Sequence, residues 1–162
     1  MITTRTATPA DIPAITSIYN DAVLTTNATF DTQPRTLAEQ EVWLAAHGTE
    51  YPVLVAEVDG AVAGWASLSR WSPKLAYSGT TEISLYVHGD YRGRGVGKAL
   101  MAAILAAGPS AGFHTVLARI VEGNEVSVRL HEAFGFELVG VMREVGYKFG
   151  RWLDVLLMQK LF

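Results

Sequence analysis

A glycine-rich turn between a predicted strand and a predicted helix is the part of this chain best suited to bind a ligand. It reads Arg92-Gly93-Arg94-Gly95-Val96-Gly97-Lys98 and follows the β-favouring run Ile83–Val87. Glycine lets a ligand approach the backbone closely, and the first N–H groups of a helix have no partner within that helix. Such a turn is suited to an anion, and to a phosphate in particular.

The residues around this turn argue against two common nucleotide-binding motifs. A Walker A loop requires Ser or Thr after its Gly-Lys pair, whereas Gly97-Lys98 is followed by Ala99. A dinucleotide-binding fingerprint requires an acidic residue about 20 positions further on, and Phe113–Leu117 contains none. The alternative to a ligand site is a glycine-rich connection that lets the helix and the strand pack closely.

Composition narrows the classes of function that remain. Thirteen basic and sixteen acidic residues give a net charge of −3, without the basic excess that non-specific nucleic-acid binding needs. The chain has no cysteine and only four scattered histidines, so we expect neither a metal site nor redox chemistry. No apolar run approaches the roughly 20 residues of a membrane span. We expect one domain, residues 1–162, in a cytoplasmic protein that binds neither nucleic acid nor membrane.

The periodicity of the apolar residues predicts seven strands and four helices. The strands are predicted at residues 2–7, 53–58, 61–68, 81–88, 115–121, 136–141 and 152–158. The helices are predicted to begin near Thr8, Thr36, Val96 and Val126. Asp59-Gly60 is a hairpin turn, and Gly146–Gly150 is predicted to connect the last two strands. This order of elements favours an α+β fold with a mixed, mostly antiparallel sheet.

Several segments resemble one superfamily of enzymes. The spacing Arg92-x-x-Gly95-x-Gly97 resembles the acyl-CoA loop of the GNAT-superfamily N-acetyltransferases. The downstream residues Asn124, Ser127, His131 and Gly135-Phe136 resemble the corresponding segment of that superfamily. The stretches Thr81–His88, Ser127–Glu132 and Gly146–Asp154 are similar to the phosphinothricin and methionine sulfoximine (or sulfone) N-acetyltransferases, and the likeness covers nearly the whole chain. It implies the GNAT fold and acetyl-CoA as co-substrate.

The resemblance assigns one group of residues to acetyl-CoA. The backbone N–H groups of the turn would hold the pyrophosphate, and three cations would add positive charge around it. Strand residues before the turn would bind the pantetheine and the thioester carbonyl, and two residues of the last helix would complete the site. The implied group is Tyr86, Val87, His88, Arg92, Gly93, Arg94, Gly95, Val96, Gly97, Lys98, Asn124 and Ser127. Arg94 and Lys98 are equally well explained as solvated surface charges.

Two residues are implied to be catalytic. An ammonium must lose a proton before it attacks a thioester, and the resemblance implies that Glu82 takes this proton. His131 would protonate the departing CoA thiolate, at the position where many GNAT enzymes carry tyrosine. The alternatives are a solvent-facing glutamate at a strand edge and a packed helix histidine at the edge of the core.

The implied acceptor is a small zwitterionic amino acid such as phosphinothricin, methionine sulfone or methionine sulfoximine. Its predicted contacts are apolar side chains together with two lysines for its carboxylate; they are Phe30, Trp71, Lys74, Tyr77, Leu85 and Lys148. Similar enzymes tend to carry arginines where this chain has Lys74 and Ser78, and a polar residue at Ile83. A lysine cannot reproduce the bidentate clamp of an arginine on a carboxylate.

Two other kinds of function stay open at this point. The acceptor could be another amine, such as a polyamine, a drug or a protein N-terminus, although Arg70–Gly79 lacks the acidic cluster that a polycation needs. The protein could instead be a non-catalytic CoA-binding sensor, if Glu82 is only structural. The resemblance further implies a homodimer, with Tyr147–Trp152 near the partner subunit.

Overall fold

A single seven-stranded sheet organises the chain, and the computed structural model describes all 162 residues. The strand order is β1-β2-β3-β4-β5-β7-β6. The strands are β1 (Ile2–Thr6), β2 (Val53–Val58), β3 (Ala61–Arg70), β4 (Thr80–Val87), β5 (Thr115–Val121), β6 (Glu137–Lys148) and β7 (Arg151–Leu161). The predicted mixed, mostly antiparallel sheet of seven strands is confirmed.

Four α-helices accompany the sheet, also as predicted. They are α1 (Ile12–Thr25), α2 (Leu37–His47), α3 (Val96–Ser110) and α4 (Glu125–Ala133). Thr36 caps α2, because its hydroxyl accepts a hydrogen bond from the Glu39 N–H at 3.2 Å, while the Glu39 carboxylate accepts one from the Thr36 N–H at 2.8 Å. None of the four is long and apolar enough to cross a membrane.

The two faces of the sheet carry separate hydrophobic clusters. On one face, Leu100 and Ile104 of α3 pack among buried residues of β3, β4 and β5. On the other face, Ile15 and Tyr19 of α1 pack against Trp65 of β3. Because successive side chains of a strand point to opposite faces, the residues of β4 divide between the two clusters. Ile83 belongs to the α3 face and Tyr86 to the α1 face, which places Glu82 on the α1 face.

Only one pair of neighbouring strands is parallel, and its pairing is short. β4 and β5 pair at Thr80–Glu82 with Thr115–Leu117 and then separate. β4 meanwhile stays paired with β3 along its whole length, up to Gly64 opposite Val87. The second half of β4 therefore has a partner on one side only. This gap in the sheet lies directly before the glycine turn.

The last two strands are longer than predicted. β6 continues to Lys148 and β7 begins at Arg151, so that Phe149-Gly150 alone connects them; the expectation of a connection over residues 146–150 was wrong. Gly146 lies inside β6 for a packing reason. A Cβ atom there would lie 2.1 Å from the nearest carbon of the Phe30 ring, so the glycine accommodates a close approach within a strand.

Candidate active site

The gap between β4 and β5 exposes backbone hydrogen-bonding groups. The His88 N–H donates to the Ala63 carbonyl at 2.9 Å. Hydrogen bonds to one neighbour alternate along an antiparallel strand, so the N–H groups of Leu85 and Val87 point away from β3 and into the gap. Such donors can bind the amide groups of a pantetheine arm or the oxygen of a thioester carbonyl.

A cavity of about 760 Å³ adjoins the gap. Its walls come from five parts of the fold: α1 with the segment that follows it, β4, the glycine turn with the start of α3, the start of α4 with the turn before it, and Arg151 at the start of β7. The predicted residues that line it are Leu85, Tyr86, Val87, Arg92, Gly93, Gly95, Val96, Gly97, Asn124 and Ser127. Ten residues from separate segments of the chain are thus brought to one cavity. The other ten predicted site residues lie outside its lining; they are Phe30, Trp71, Lys74, Tyr77, Glu82, His88, Arg94, Lys98, His131 and Lys148.

The glycine turn has the backbone conformation that its sequence suggests. Gly93 has a φ of 72° and Gly95 a φ of 90°, values at which a residue with a Cβ atom is strained. Gly95 precedes the first residue of the 15-residue helix α3. The first N–H groups of this helix have no partner within it, and the helix dipole adds partial positive charge there. The turn is therefore suited to bind a phosphate group.

The cations of this region are exposed and differ in their contacts. Nε of Arg92 donates to the Val87 carbonyl at 3.4 Å, which holds the base of the turn against the end of β4. The Arg94 guanidinium lies over the Tyr91 ring, 5.1 Å from its centre. Lys98 is exposed on the first turn of α3. Only Arg92 of the three lines the cavity.

Asn124 caps the N-terminus of α4. Its Oδ1 accepts a hydrogen bond from the Ser127 N–H at 3.3 Å at the start of α4. Both residues also line the cavity. The side-chain amide N–H₂ of Asn124 makes no hydrogen bond within the protein and is available to a ligand.

Glu82 forms an ion pair that the sequence analysis did not predict. Both oxygens of its carboxylate accept hydrogen bonds from Arg119 of β5, and the Nη2–Oε1 distance is 2.7 Å. The carboxylate is mostly buried, with 19% of the side chain exposed, whereas the Arg119 side chain is 54% exposed. Hydrogen bonding to Glu82 raises the pKa of Arg119. A mostly buried carboxylate thus lies where the pairing of β4 and β5 ends.

His131 is packed in the interior. Its side chain is next to the Phe136 ring, and Nδ1 lies 2.7 Å from the Ser127 carbonyl. Burial lowers the pKa of His131 below 6.5 and favours the neutral ring. A neutral ring that donates from Nδ1 to a carbonyl has no proton on Nε2. This environment favours the alternative of a packed helix histidine over that of a general acid.

Lys148 is also engaged within the protein. Lys148 is only 4% exposed, and its ammonium donates to the carbonyls of Thr26 and Thr29 at 2.8 and 2.7 Å. Burial lowers the pKa of Lys148. The structure therefore gives this ammonium two backbone partners where the sequence analysis predicted a substrate carboxylate. Its contacts hold the segment that follows α1 against the end of β6.

The same segment is held from the other side by a group around Tyr19. The Tyr19 hydroxyl donates to Asp31 and contacts the Thr29 hydroxyl at 3.0 Å. Arg35 pairs with Asp31 at 3.2 Å, and its guanidinium lies over the Tyr19 ring. Burial raises the pKa of Tyr19 to about 12. Residues 26–31 are thereby fixed over the α1 face of the sheet.

The remaining predicted acceptor residues are spread over this face and its rim. Phe30 packs against Gly146, and Trp71 lies beneath the Arg119 guanidinium, 5.6 Å from ring centre to Cζ. Lys74 and Tyr77 are exposed around a short 3₁₀ turn at Leu75–Tyr77. The structure brings Trp71 close to Glu82 through Arg119. Lys74 neither pairs with a carboxylate nor lines the cavity.

Arg119 is the functional candidate that sequence reasoning missed. A signal for it was present, because it is the only charged residue in the otherwise apolar β-favouring run Thr115–Val121. A charged side chain in an apolar strand is informative, because it indicates a partner of opposite charge nearby in the fold. Its partner could not be read from sequence, since the pairing of β5 with Glu82 joins residues 37 positions apart.

Comparison with known proteins agrees with this architecture. Residues 4–157 match the family described as the acetyltransferase (GNAT) domain. The chain belongs to this family. Among relatives of this acetyltransferase, the L-methionine sulfoximine/L-methionine sulfone acetyltransferase of Pseudomonas paraeruginosa is 44% identical over 157 residues, covering 96% of this chain and 91% of the relative. The predicted family and its GNAT fold are therefore confirmed.

Solved structures with the same fold are also similar in sequence to this acetyltransferase. A phosphinothricin acetyltransferase from Sinorhizobium meliloti in complex with acetyl-CoA superposes with a TM-score of 0.96 at 37% identity, covering 99% of this acetyltransferase and 88% of that chain. A ribosomal-protein-alanine N-acetyltransferase from Brucella melitensis has a TM-score of 0.96 at 40% identity, with 99% of both chains covered. Relatives with one shared fold are thus named for two kinds of amine acceptor.

Proposed function

We propose that this acetyltransferase transfers the acetyl group of acetyl-CoA to the primary amine of a small amino acid of the methionine sulfone, methionine sulfoximine or phosphinothricin type. One observation carries the proposal: a mostly buried carboxylate, Glu82, lies where β4 and β5 separate, three residues before Leu85, which lines a cavity that also contains a helix N-terminus. This arrangement supports a proton acceptor and a phosphate site on one strand–turn–helix unit. The names of the relatives support this acceptor class.

The residues of the cavity suit the parts of acetyl-CoA. The glycine turn and the first N–H groups of α3 would hold the pyrophosphate, with Arg92 beside them. The N–H groups of Leu85 and Val87 would bind the pantetheine and the thioester oxygen in the gap. Asn124 would offer its amide N–H₂ from the start of α4. Most of these contacts come from the backbone and need no particular side chain.

The reaction follows from this placement. Glu82 takes one proton from the bound ammonium, directly or through water. The freed amine nitrogen attacks the thioester carbonyl, the N–C bond forms, and the C–S bond breaks as the CoA thiolate leaves with the electron pair. The nitrogen loses its second proton as the amide forms, and the thiolate takes up a proton to leave as the CoA thiol. The role of His131 as donor of that proton stays a prediction, and its burial and lowered pKa favour water as the donor instead.

The absence of cysteine makes the test simple. A thiol reagent reports only released CoA, because the protein has no thiol of its own. We expect release with methionine sulfone, methionine sulfoximine or phosphinothricin, and an N-acetyl product by mass spectrometry. Tight binding of acetyl-CoA without transfer to any amine would instead establish the non-catalytic sensor. Full turnover by Glu82→Gln would reject Glu82 as the base and leave the activity in place.

The similarity to a ribosomal-protein-alanine N-acetyltransferase supports a second candidate acceptor. A peptide with N-terminal alanine also presents a primary amine, but it lacks the α-carboxylate of a free amino acid. The same assay with an alanine-initiated peptide distinguishes the two. Faster release with the peptide than with every free amino acid would make a protein N-terminus the acceptor.

We also propose that the protein is a homodimer that uses the end of the sheet. β6 is an edge strand, and an exposed edge with apolar side chains is suited to pairing. The exposed apolar residues on β6 and β7 are Leu138, Val139, Val141, Met142, Val145, Tyr147, Trp152 and Leu161. Light scattering should give twice the chain mass of 17.6 kDa, and Val141→Lys should shift the protein towards monomer. A wild-type protein of 17.6 kDa in solution would contradict this proposal.

Two further predictions accompany the proposed function. Residues 1–162 are proposed to unfold as one domain, which would give a single calorimetric transition. The cytoplasm is the proposed location, and cell fractionation tests it.

A further inference from the structure

The ion pair of Glu82 and Arg119 has a feature that Glu82 alone does not explain. Arg119 uses Nε and Nη2 to bind the carboxylate, and its Nη1 makes no hydrogen bond within the protein. The side chain is 54% exposed, so the guanidinium is accessible to a ligand. A planar guanidinium with one free edge can bind a further carboxylate.

The position of Arg119 along β5 is also informative. Leu117 is the last β5 residue paired with β4, opposite Glu82. Arg119 comes two residues later and therefore lies on the same face, beyond the end of the pairing. The ion pair accordingly bridges the two strands where they begin to separate. An acceptor bound there would lie beside the gap that exposes the Leu85 and Val87 N–H groups.

Trp71 fixes the direction of the guanidinium. Its ring centre lies 5.6 Å from Cζ of Arg119, within the range of a cation–π contact. Trp71 thus holds an exposed side chain that would otherwise sample many rotamers. A held guanidinium loses less entropy when it binds a ligand than a free one.

Resting on the proposed function, we propose that Arg119 binds the α-carboxylate of the acceptor while Glu82 receives its α-ammonium. The pair then offers an anion to the ammonium and a cation to the carboxylate of a zwitterion, from the neighbouring strands β4 and β5. An α-amino acid brings both charges and satisfies both partners. An amine without a carboxylate leaves the free edge of Arg119 unused, so the pair selects α-amino acids as a class.

This assignment supplies what the predicted lysines do not. Lys148 donates to two backbone carbonyls, and Lys74 is an exposed residue that makes no contact with Glu82. Neither presents the bidentate fork that matches a carboxylate. Arg119 is an arginine beside Glu82 with such an edge free.

The test compares two acceptors that differ only in the carboxylate. Methionine sulfone and its α-amide are assayed with wild type, Arg119→Gln and Arg119→Lys, and kcat and KM are measured for each. In Arg119→Gln we expect the KM for the acid to rise about 10- to 100-fold relative to the amide. Arg119→Lys should fall between, because it retains the charge without the fork.

Arg70 provides the matched control. It is an exposed arginine at the end of β3, next to Ser69, which lies opposite Glu82. Because neighbours in a strand face opposite ways, Arg70 is directed away from the Glu82 face, and Arg70→Gln should leave the acid-to-amide ratio unchanged. An equal loss for both acceptors in Arg119→Gln would show that Arg119 only positions Glu82 and would overturn the proposal. Transfer to neither compound by wild type would instead reject the proposed function.

Discussion

The two halves of the candidate site are built by different means. The donor half comprises the gap beside β4, the glycine turn, and the starts of α3 and α4, and most of its contacts are backbone N–H groups. The acceptor half comprises residues 26–31, Trp71, Glu82 and Arg119, and it depends on side chains that hold one another. Backbone geometry tolerates substitution, whereas such networks do not. We therefore expect a point mutation in one half to impair binding of that half's own substrate and to leave binding of the other substrate unchanged.

Lys148→Met should have the largest effect on stability and should act on the acceptor half. The change keeps the length of the side chain but leaves the carbonyls of Thr26 and Thr29 without their partner. We expect the free energy of unfolding to fall by about 2–4 kcal/mol and the KM for the amine to rise, while acetyl-CoA affinity is kept. Chemical denaturation and calorimetry measure these quantities. A variant as stable as wild type would show that the ammonium is not needed to hold residues 26–29.

Gly146→Ala should perturb the acceptor half through a single contact. The added Cβ would lie 2.1 Å from the Phe30 ring, so the ring must move, at a cost of about 1–3 kcal/mol. Gly140→Ala is the matched control, since it lies on the same strand with nothing within 4 Å of its Cβ position. Thermal unfolding of both variants measures the difference. Equal melting temperatures would mean that Phe30 is not held against β6.

Gly95→Ala should act on the donor half. Its φ of 90° is a conformation that costs a residue with a Cβ roughly 1–2 kcal/mol, and relief of that strain would distort the phosphate site. We expect acetyl-CoA binding to weaken about tenfold in isothermal titration calorimetry, with an unchanged KM for the amine.

Gly60→Ala controls for the backbone strain of that variant. Gly60 has a φ of 83° in the hairpin between β2 and β3, outside the cavity lining, so its replacement should lower stability without changing acetyl-CoA affinity. If both variants weakened acetyl-CoA binding equally, the glycine turn would not be the phosphate site.

The smallest expected effect is a dependence of stability on pH that both halves share. One buried histidine lies behind each half: His131 on α4, and His47, whose Nε2 is 2.9 Å from the Ser69 hydroxyl. Burial lowers the pKa of both below 6.5. The unfolded chain therefore binds more protons as pH falls below about 6.5, so stability present above that pH is lost below it.

Melting temperatures at pH 7.5 and 5.5 test this dependence. We expect a lower melting temperature at the lower pH, and His47→Gln should reduce the difference. The exposed His114 is the control, because His114→Gln removes no buried group. A stability that rises towards pH 5.5 would contradict the assignment.

The contrast between the halves also explains what the sequence could reveal. The donor half is contiguous, since one strand, three glycines and one helix start are enough to indicate a phosphate site at Arg92–Lys98. The acceptor half joins residues that are distant in sequence: Arg119 meets Glu82, and Lys148 meets Thr29 across 119 positions. Periodicity indicates the face on which a residue lies but not which strand is its neighbour. Gly146 was misread for the same reason, because the Phe30 ring that requires it is far away in the chain.

The most direct test of the central claim, that Glu82 serves proton transfer beside an independent donor site, is single-turnover transfer from saturating acetyl-CoA to methionine sulfone in wild type and Glu82→Gln. The account predicts transfer slowed about 10²- to 10⁴-fold in the variant, with unchanged affinity for acetyl-CoA. An unchanged transfer rate, or a loss of acetyl-CoA binding that accounts for the slower reaction, would contradict it.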